Sequence, residues 1–457
     1  MRPLETLPLF LLLVTVFMFF FDKRGFWFLL SLITNIGAII IQYFIEGMRW
    51  QLTPSIYLLL TIYIIHRYNR HDLKLYYKIL ISGWFLIAVI LPVIIPVFSL
   101  PTPNGNYAVG TDSFHWIDSS RAEWFTPEKP NDYREIMVQL WYPGIFDPAL
   151  KAEPYVDFID LRAKTIAAAG NLPSFLPSHL NLVETNSYKN LKCIEIKEPL
   201  PIIVFSHGLT GSRHLHQSLF ENLSSYGYLV VAVDHSYDCN LTVFPNGRVA
   251  NYRSNITGNP DSINIRKQQI ETRSRDILFV LDQLEKIQSG KIQSNLIGKL
   301  DLYTVGLGGH SYGGATAILS TQRDKRIQTC FVLDGWINPL PESNIKKGLN
   351  VPILYVGRPD WNDSDYPSNY SYLKKLIANT KSNKYNLVIK ETLHLDYTDI
   401  PIYSPIIKYV MDVGNLSPDV SISLVNQLVK GFLDHHLLNK SKKNYFPDLN
   451  HPLIISL

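Results

Sequence analysis

Residues 4–21, 26–45, about 50–65 and 79–98 are almost wholly apolar or aromatic, and beyond residue 100 this pattern gives way to short apolar runs set between polar and helical stretches. A helix needs about 20 apolar residues to cross the hydrocarbon core of a bilayer, so the pattern predicts four membrane spans. A cleaved signal peptide is the competing reading of the first stretch. It lacks a basic leader and is followed by Asp22-Lys23-Arg24 instead of small residues. The chain therefore divides into a transmembrane helical region, 1–100, and one large domain, 101–457, long enough to bury a sizeable core.

Cations set the expected orientation, because Lys and Arg in short loops stay cytoplasmic. Lys23, Arg24, Arg67, Arg70, Lys74 and Lys78 fall in the loops after spans one and three, against Arg2 and Arg49 on the other side. Both termini and the large domain are thus expected outside the cell membrane. If the third stretch does not span, the large domain moves to the cytoplasm. Pro101-Thr102-Pro103-Asn104-Gly105-Asn106 reads as a turn-rich linker that releases the chain from the membrane.

In the large domain, strand-like alternation at 111–117 and 135–142 precedes a regular series of short apolar strands at 202–205, 228–233, 302–305, 329–333, 352–356 and 385–389. Helical patterns at 213–226 and 265–287 lie between them, and 237–262 forms a long insertion that could serve as a lid or pocket wall. Such alternation predicts a mostly parallel sheet covered by helices on both faces. Ligands gather at the carboxyl ends of strands in such sheets.

One of those ends carries Gly309-His310-Ser311-Tyr312-Gly313. A serine hydroxyl attacks esters only when a base takes its proton and backbone N–H groups await the oxyanion. The G-x-S-x-G elbow, after a strand and before the small-residue helix start Gly314-Ala315-Thr316-Ala317, supplies that geometry in the α/β-hydrolase fold. The fold orders its catalytic residues serine, acid, histidine, which assigns the base to His394, after the 385–389 strand. Asp334 and Asp360 each follow a strand and are both candidates for the acid. The second oxyanion donor besides Tyr312 is expected at Leu209, in the loop Ser206-His207-Gly208-Leu209. His207 precedes the serine, which breaks the order and makes it a structural histidine.

Net charge is only +4, with basic runs no longer than Lys346-Lys347 and residues 440–443, so nucleic acid is not an expected partner. Cys193, Cys239 and Cys330 are too scattered for a disulfide framework or a metal site. Neither a cofactor nor a metal is expected.

The stretch 204–209 together with Gly227-Tyr228-Leu229-Val230-Val231-Ala232-Val233-Asp234-His235, the elbow with Gly314-Ala315-Thr316, and Leu333-Asp334-Gly335-Trp336 resembles the plasma-type platelet-activating factor acetylhydrolase family across most of 107–440. The resemblance selects Asp334 as the acid and implies calcium-independent hydrolysis of short or oxidised sn-2 acyl groups of phospholipids. Its bacterial members include broader carboxylesterases, and the four-span leader is similar to membrane-tethered bacterial versions. Other serine hydrolase chemistries, a peptidase or a polyester hydrolase, are alternatives, as is a membrane receptor with an inactive hydrolase domain. An inactive relative would have lost Ser311, Asp334 or His394, and all three are present.

Overall fold

The computed structural model describes residues 2–21, 25–68, 73–254, 259–362, 367–440 and 451–457. Lys23, Arg24, Arg70, Asn255, Lys442 and Lys443 lie outside the described residues.

The apolar stretches fold as α1 (Thr6–Phe21), α2 (Phe26–Glu46), α3 (Thr53–Tyr68) and α4 (Leu75–Ile94). Among the described residues three helices, Pro3–Phe21, Phe26–Glu46 and Leu75–Ile94, are long and apolar enough to cross a membrane. The third stretch falls short in apolarity, not in length: α3, like α1, has 16 residues after a 3-10 turn, but it carries Thr53, Ser55, Thr61, His66 and Arg67 where α1 is almost wholly apolar. α4 lies four residues earlier than its pattern suggested. Pro96 disfavours helical geometry at Ile95, which sits at φ −123° and ψ 74° and ends the helix. The four helices run up and down. Phe28 at the start of α2 packs on His66 near the end of α3, with ring centres 4.7 Å apart. At the opposite end the buried Arg49 holds both carboxylate oxygens of Glu5 at 2.7 Å and Pro92 O at 3.1 Å. The chain start, the α2–α3 turn and the end of α4 therefore share one end of the bundle, and that end meets the large domain: Trp50 Nε1 donates to Leu176 O at 3.2 Å.

The large domain comprises β1 (Ala108–Ala122), β2 (Tyr133–Gly144), β3 (Ala152–Pro154), α5 (Ile159–Ala169), β4 (Glu184–Lys189), β5 (Leu200–Ser206), α6 (Gln217–Ser225), β6 (Leu229–Asp234), β7 (Leu241–Val243), β8 (Val249–Asn251), α7 (Ser262–Gln288), β9 (Leu300–His310), α8 (Tyr312–Thr321), β10 (Ile327–Leu333), α9 (Glu342–Lys347), β11 (Ile353–Gly357), α10 (Asn369–Asn379), β12 (Lys384–Ile389), α11 (Pro418–His436) and β13 (Ile454–Ser456). Among the described residues eleven strands form one sheet in the order β13-β12-β11-β10-β9-β5-β6-β2-β1-β4-β3. From β12 to β6 every pairing is parallel, while β2 and β13 join antiparallel. This is the α/β-hydrolase fold.

Successive strand residues point to opposite faces, so both faces are apolar. Phe205, Phe331 and Leu354 meet Leu219 and Phe220 of α6 and Val425 and Phe432 of α11 on one side. Val204, Leu307 and Val332 meet Ile277 and Val280 of α7 and Ile318 of α8 on the other. Burial of each such side chain contributes about 1.5–3 kcal/mol.

Three features depart from the sequence pattern for identifiable reasons. β9 continues five residues past 305 through its glycines, which are poor strand formers. A Cβ at Gly308 would meet Phe331 Cζ at 2.0 Å, so only glycine lets the central strands pack there. α6 starts at Gln217, not at 213, because the backbone N–H and guanidinium of Arg213 are taken by Asp234. Asp399 then caps the shortened helix at Gln217 N, 2.7 Å. The linker is not free either. Asn104 N and Gly105 N bond Asn222 Oδ1 and Ser225 Oγ at 3.2 and 2.9 Å, which pins it to the end of α6. In the 237–262 insertion β7 and β8 pair as a hairpin that buries Phe244 beside His115, ring centres 5.0 Å apart, so this part is a packed wall.

Candidate active site

Ser311 sits between β9 and α8 at φ 55° and ψ −121°, a region that costs a non-glycine residue about 1–3 kcal/mol and persists only where its surroundings enforce it. They do so here. Ser311 N donates to Leu333 O at 3.0 Å, and Ser311 O accepts from Gly314 N at 3.0 Å and Trp336 N at 2.9 Å. The flanking glycines are sterically required: a Cβ on Gly309 would stand 2.1 Å from Gly313 O, and one on Gly313 1.9 Å from Ser206 O. Ser311 itself keeps partial solvent exposure.

His394 opens a 3-10 turn after β12. The Asp396 carboxylate holds that turn by accepting from Leu393 N and Gly414 N, each at 2.7 Å. Burial pushes Asp396 up to about 6 even so. His310, the residue before Ser311, donates from Nε2 to His394 O at 3.1 Å and lies ring against ring with it, 4.7 Å between centres. Burial pushes the His310 imidazole down to about 3, so it is neutral at physiological pH. The elbow and the histidine turn are thus tied directly together.

Asp334 follows β10, fully buried, and its Oδ2 lies 2.6 Å from His394 Nδ1. Its Oδ1 accepts Arg358 N at 3.0 Å, and the Arg358 Nε stands 3.6 Å from Oδ2. The Arg358 guanidinium stacks over Trp361 at 4.3 Å, and Trp361 meets His394 edge-on at 5.4 Å. With Nδ1–H donated to Asp334, a neutral His394 carries its lone pair on Nε2, the tautomer a general base needs. Asp360 is exposed and accepts from Asn362 N at 3.0 Å within its own turn. Of the two acids left open by chain position, Asp334 is the one paired with the histidine.

Tyr312 is the first residue of α8, where helix geometry leaves N–H groups without an intrahelical acceptor. Leu209 follows Gly208, whose added Cβ would lie 3.1 Å from Ser311 Cβ, so this loop runs against the serine. His207 is buried behind it: Nδ1 donates to Gly208 O at 2.6 Å and Nε2 accepts from His235 N at 3.2 Å. That arrangement fits a structural histidine and leaves no nitrogen for Ser311.

His207, Asp234 and Cys239 bring donor atoms within 4.8 Å of one another and are the one grouping with metal-ligand spacing among the described residues. Asp234 is already paired with Arg213 and stands 3.8 Å from Arg162, so a cation there would meet existing positive charge. His310, Arg358 and Trp361 shape the site without having been anticipated from sequence. His310 lay inside the motif as its variable position, and Arg358 carries no signal beyond proximity to Asp360.

A family profile described as "Platelet-activating factor acetylhydrolase, isoform II" matches residues 98–450. The platelet-activating factor acetylhydrolase of Canis lupus familiaris is 23% identical over 397 residues, covering 82% of this chain and 86% of that one. That of Cavia porcellus is 26% identical, covering 74% and 78%. A solved ferulic acid esterase from Streptomyces cinnamoneus superposes with a TM-score of 0.64 at 25% identity, covering 79% of this chain and all of that one. The chain belongs to the platelet-activating factor acetylhydrolase isoform II family, and is a carboxylic-ester hydrolase built on the α/β-hydrolase fold.

Proposed function

We propose that the ester is cleaved by Ser311, His394 and Asp334 through an acyl-enzyme, and that the natural substrates are phospholipids with short or oxidised sn-2 acyl groups. The observation that carries the catalytic part is the 2.6 Å Asp334–His394 pair beside a strained serine elbow. His394 Nε2 takes the Ser311 proton as Oγ attacks the acyl carbon, and the oxyanion is held by the N–H groups of Leu209 and Tyr312. The imidazolium, stabilised by Asp334, then protonates the departing alcohol. Water repeats the sequence on the acyl-serine and releases the carboxylic acid.

The lipid part rests on family membership and on the apolar bundle. Three helices long and apolar enough to span support a membrane-embedded enzyme. α3 runs the length of the bundle beside the other helices, from the Arg49 end to His66 against Phe28; counted with them it leaves the chain start and the end of α4 on the side of the large domain, and with Arg67, Lys74 and Lys78 at the other end the cation distribution supports an extracytoplasmic active site. A series of p-nitrophenyl esters and sn-2 phospholipids of increasing chain length, assayed with and without EDTA, tests the reading. Preference for short sn-2 acyl chains unaffected by EDTA is expected. Preference for soluble esters with no activity on phospholipid would make the enzyme a general carboxylesterase.

A further inference from the structure

The oxyanion donors Leu209 and Tyr312 belong to different segments, β5–α6 and β9–α8, and a single buried guanidinium touches what holds each of them. Arg273, on α7, donates from Nη1 to His207 O at 2.6 Å and from Nη2 to Gly208 O at 3.4 Å. Its guanidinium also lies over the Tyr312 ring, 4.9 Å from the ring centre. Asp238 pairs with the Arg273 Nε, and Gln269 Nε2 donates to the same carboxylate.

The peptide between Gly208 and Leu209 is trans, so its N–H points opposite to its C=O. Gly208 O accepts from His207 Nδ1 at 2.6 Å and from Gly211 N at 3.1 Å, besides Arg273. Three donors hold that carbonyl, and because the peptide is planar they fix the direction of the Leu209 N–H with it. The His207 tautomer is consistent at both ends, since Nδ1 donates while Nε2 accepts from His235 N. Burial pushes this ring down to about 3, which keeps it neutral and the pattern intact. Behind it, His235 Nδ1 donates to Asp276 at 2.9 Å and Nε2 accepts from Ser206 Oγ at 3.0 Å. This fully buried Ser206–His235–Asp276 array is closed to substrate and serves as an anchor for the start of the loop.

We propose that Arg273 is the positioning residue of the oxyanion site, setting the Leu209 N–H through the 207–208 carbonyls and the start of α8 through the Tyr312 ring. The proposal rests on the Ser311 reading. Preorganised donors act at the transition state, not on the bound ester.

The test compares wild type with Arg273→Lys, which keeps a charge but loses the planar fork that reaches both carbonyls. Active sites are titrated with a fluorophosphonate, and kcat and KM for p-nitrophenyl acetate are expressed per titrated site. Affinity for an alkylboronic acid, which forms a tetrahedral anion on the serine, is measured in parallel. A fall in kcat of about tenfold to a hundredfold, with KM within about twofold and boronate affinity falling by the same factor as kcat/KM, is expected. A residue that only supports the fold would reduce the number of titratable sites and leave each at wild-type kcat, which overturns the proposal. If Arg273→Lys does not reach the native fold, His207→Gln measured in the same way decides. Full activity of Ser311→Ala would remove the Ser311 reading and this proposal together. An inactive Ser311→Ala beside an unaltered Arg273→Lys would remove this proposal alone.

Discussion

His394 Nδ1 lies 2.6 Å from Asp334 Oδ2, whereas the Asp360 carboxylate is turned to the backbone of Asn362. Asp334→Asn would put an amide where the histidine needs an anionic acceptor, favouring the wrong tautomer, and is expected to lower kcat by about 10³–10⁴ with the fold preserved. Asp360→Asn should change kcat by less than about threefold, because its group is exposed and only caps a turn. Steady-state kinetics of the two variants decides. The reverse ranking would make Asp360 the acid.

The turn that carries His394 continues into the contact with the helical bundle. Phe98, just past α4, stacks on Tyr403 at 4.8 Å with ring planes 13° apart, and Ser404 Oγ donates to Ile94 O. Asp399, in the same stretch, caps α6. Phe98→Ala should therefore cost about 3–5 kcal/mol of stability, as for a buried aromatic elsewhere. Thermal unfolding in detergent measures it. An unchanged Tm would mean that the bundle and the hydrolase domain are energetically separate.

Much of the fold was legible because its central strands are continuous apolar runs, the pattern of a sheet buried on both faces. The peripheral strands were not. β4 (Glu184–Lys189) reads as a polar segment, β3 contains Pro154, and β13 lies far along the chain from its partner β12, so their partners decide them rather than their own pattern. Within the site, motif order pointed to Ser311 and His394, because spacing along the chain carries that information. The choice between Asp334 and Asp360 is a relation across 60 residues or fewer in sequence but set by strand order in space, and both acids follow strands. His310 and Arg358 act through contacts that no local pattern encodes.

Stability should fall as the pH drops below about 6.5. His207 and His310 are pushed down to about 3 and His179 to about 4, each chiefly by burial. The unfolded chain binds protons at these rings below about 6.5 while the folded one does not, so each contributes up to about 1.4 kcal/mol of lost stability per pH unit. Glu221 and Asp399, both raised to about 7 by burial, act in the opposite sense, as do Asp396, raised to about 6, and Asp112: the folded state holds their protons above about 4, where the unfolded chain has lost them. His214, His216 and His235 are lowered as well, and the six histidines together outweigh the four acids. Thermal unfolding at pH 7.5, 6 and 5 should show a falling Tm. A Tm that holds or rises at pH 5 would mean that the acids dominate.

The central claim is that Ser311 is the nucleophile of a serine esterase. Its strained φ, the required glycines around it and the His394–Asp334 pair, tied to the elbow through His310, support that claim. The most direct measurement is covalent labelling of the intact, detergent-solubilised protein by a fluorophosphonate, with the labelled peptide identified by mass spectrometry. Labelling of wild type at Ser311, none in Ser311→Ala, and matching loss of ester hydrolysis are predicted; equal labelling of the two proteins, or a label on another residue, would contradict it.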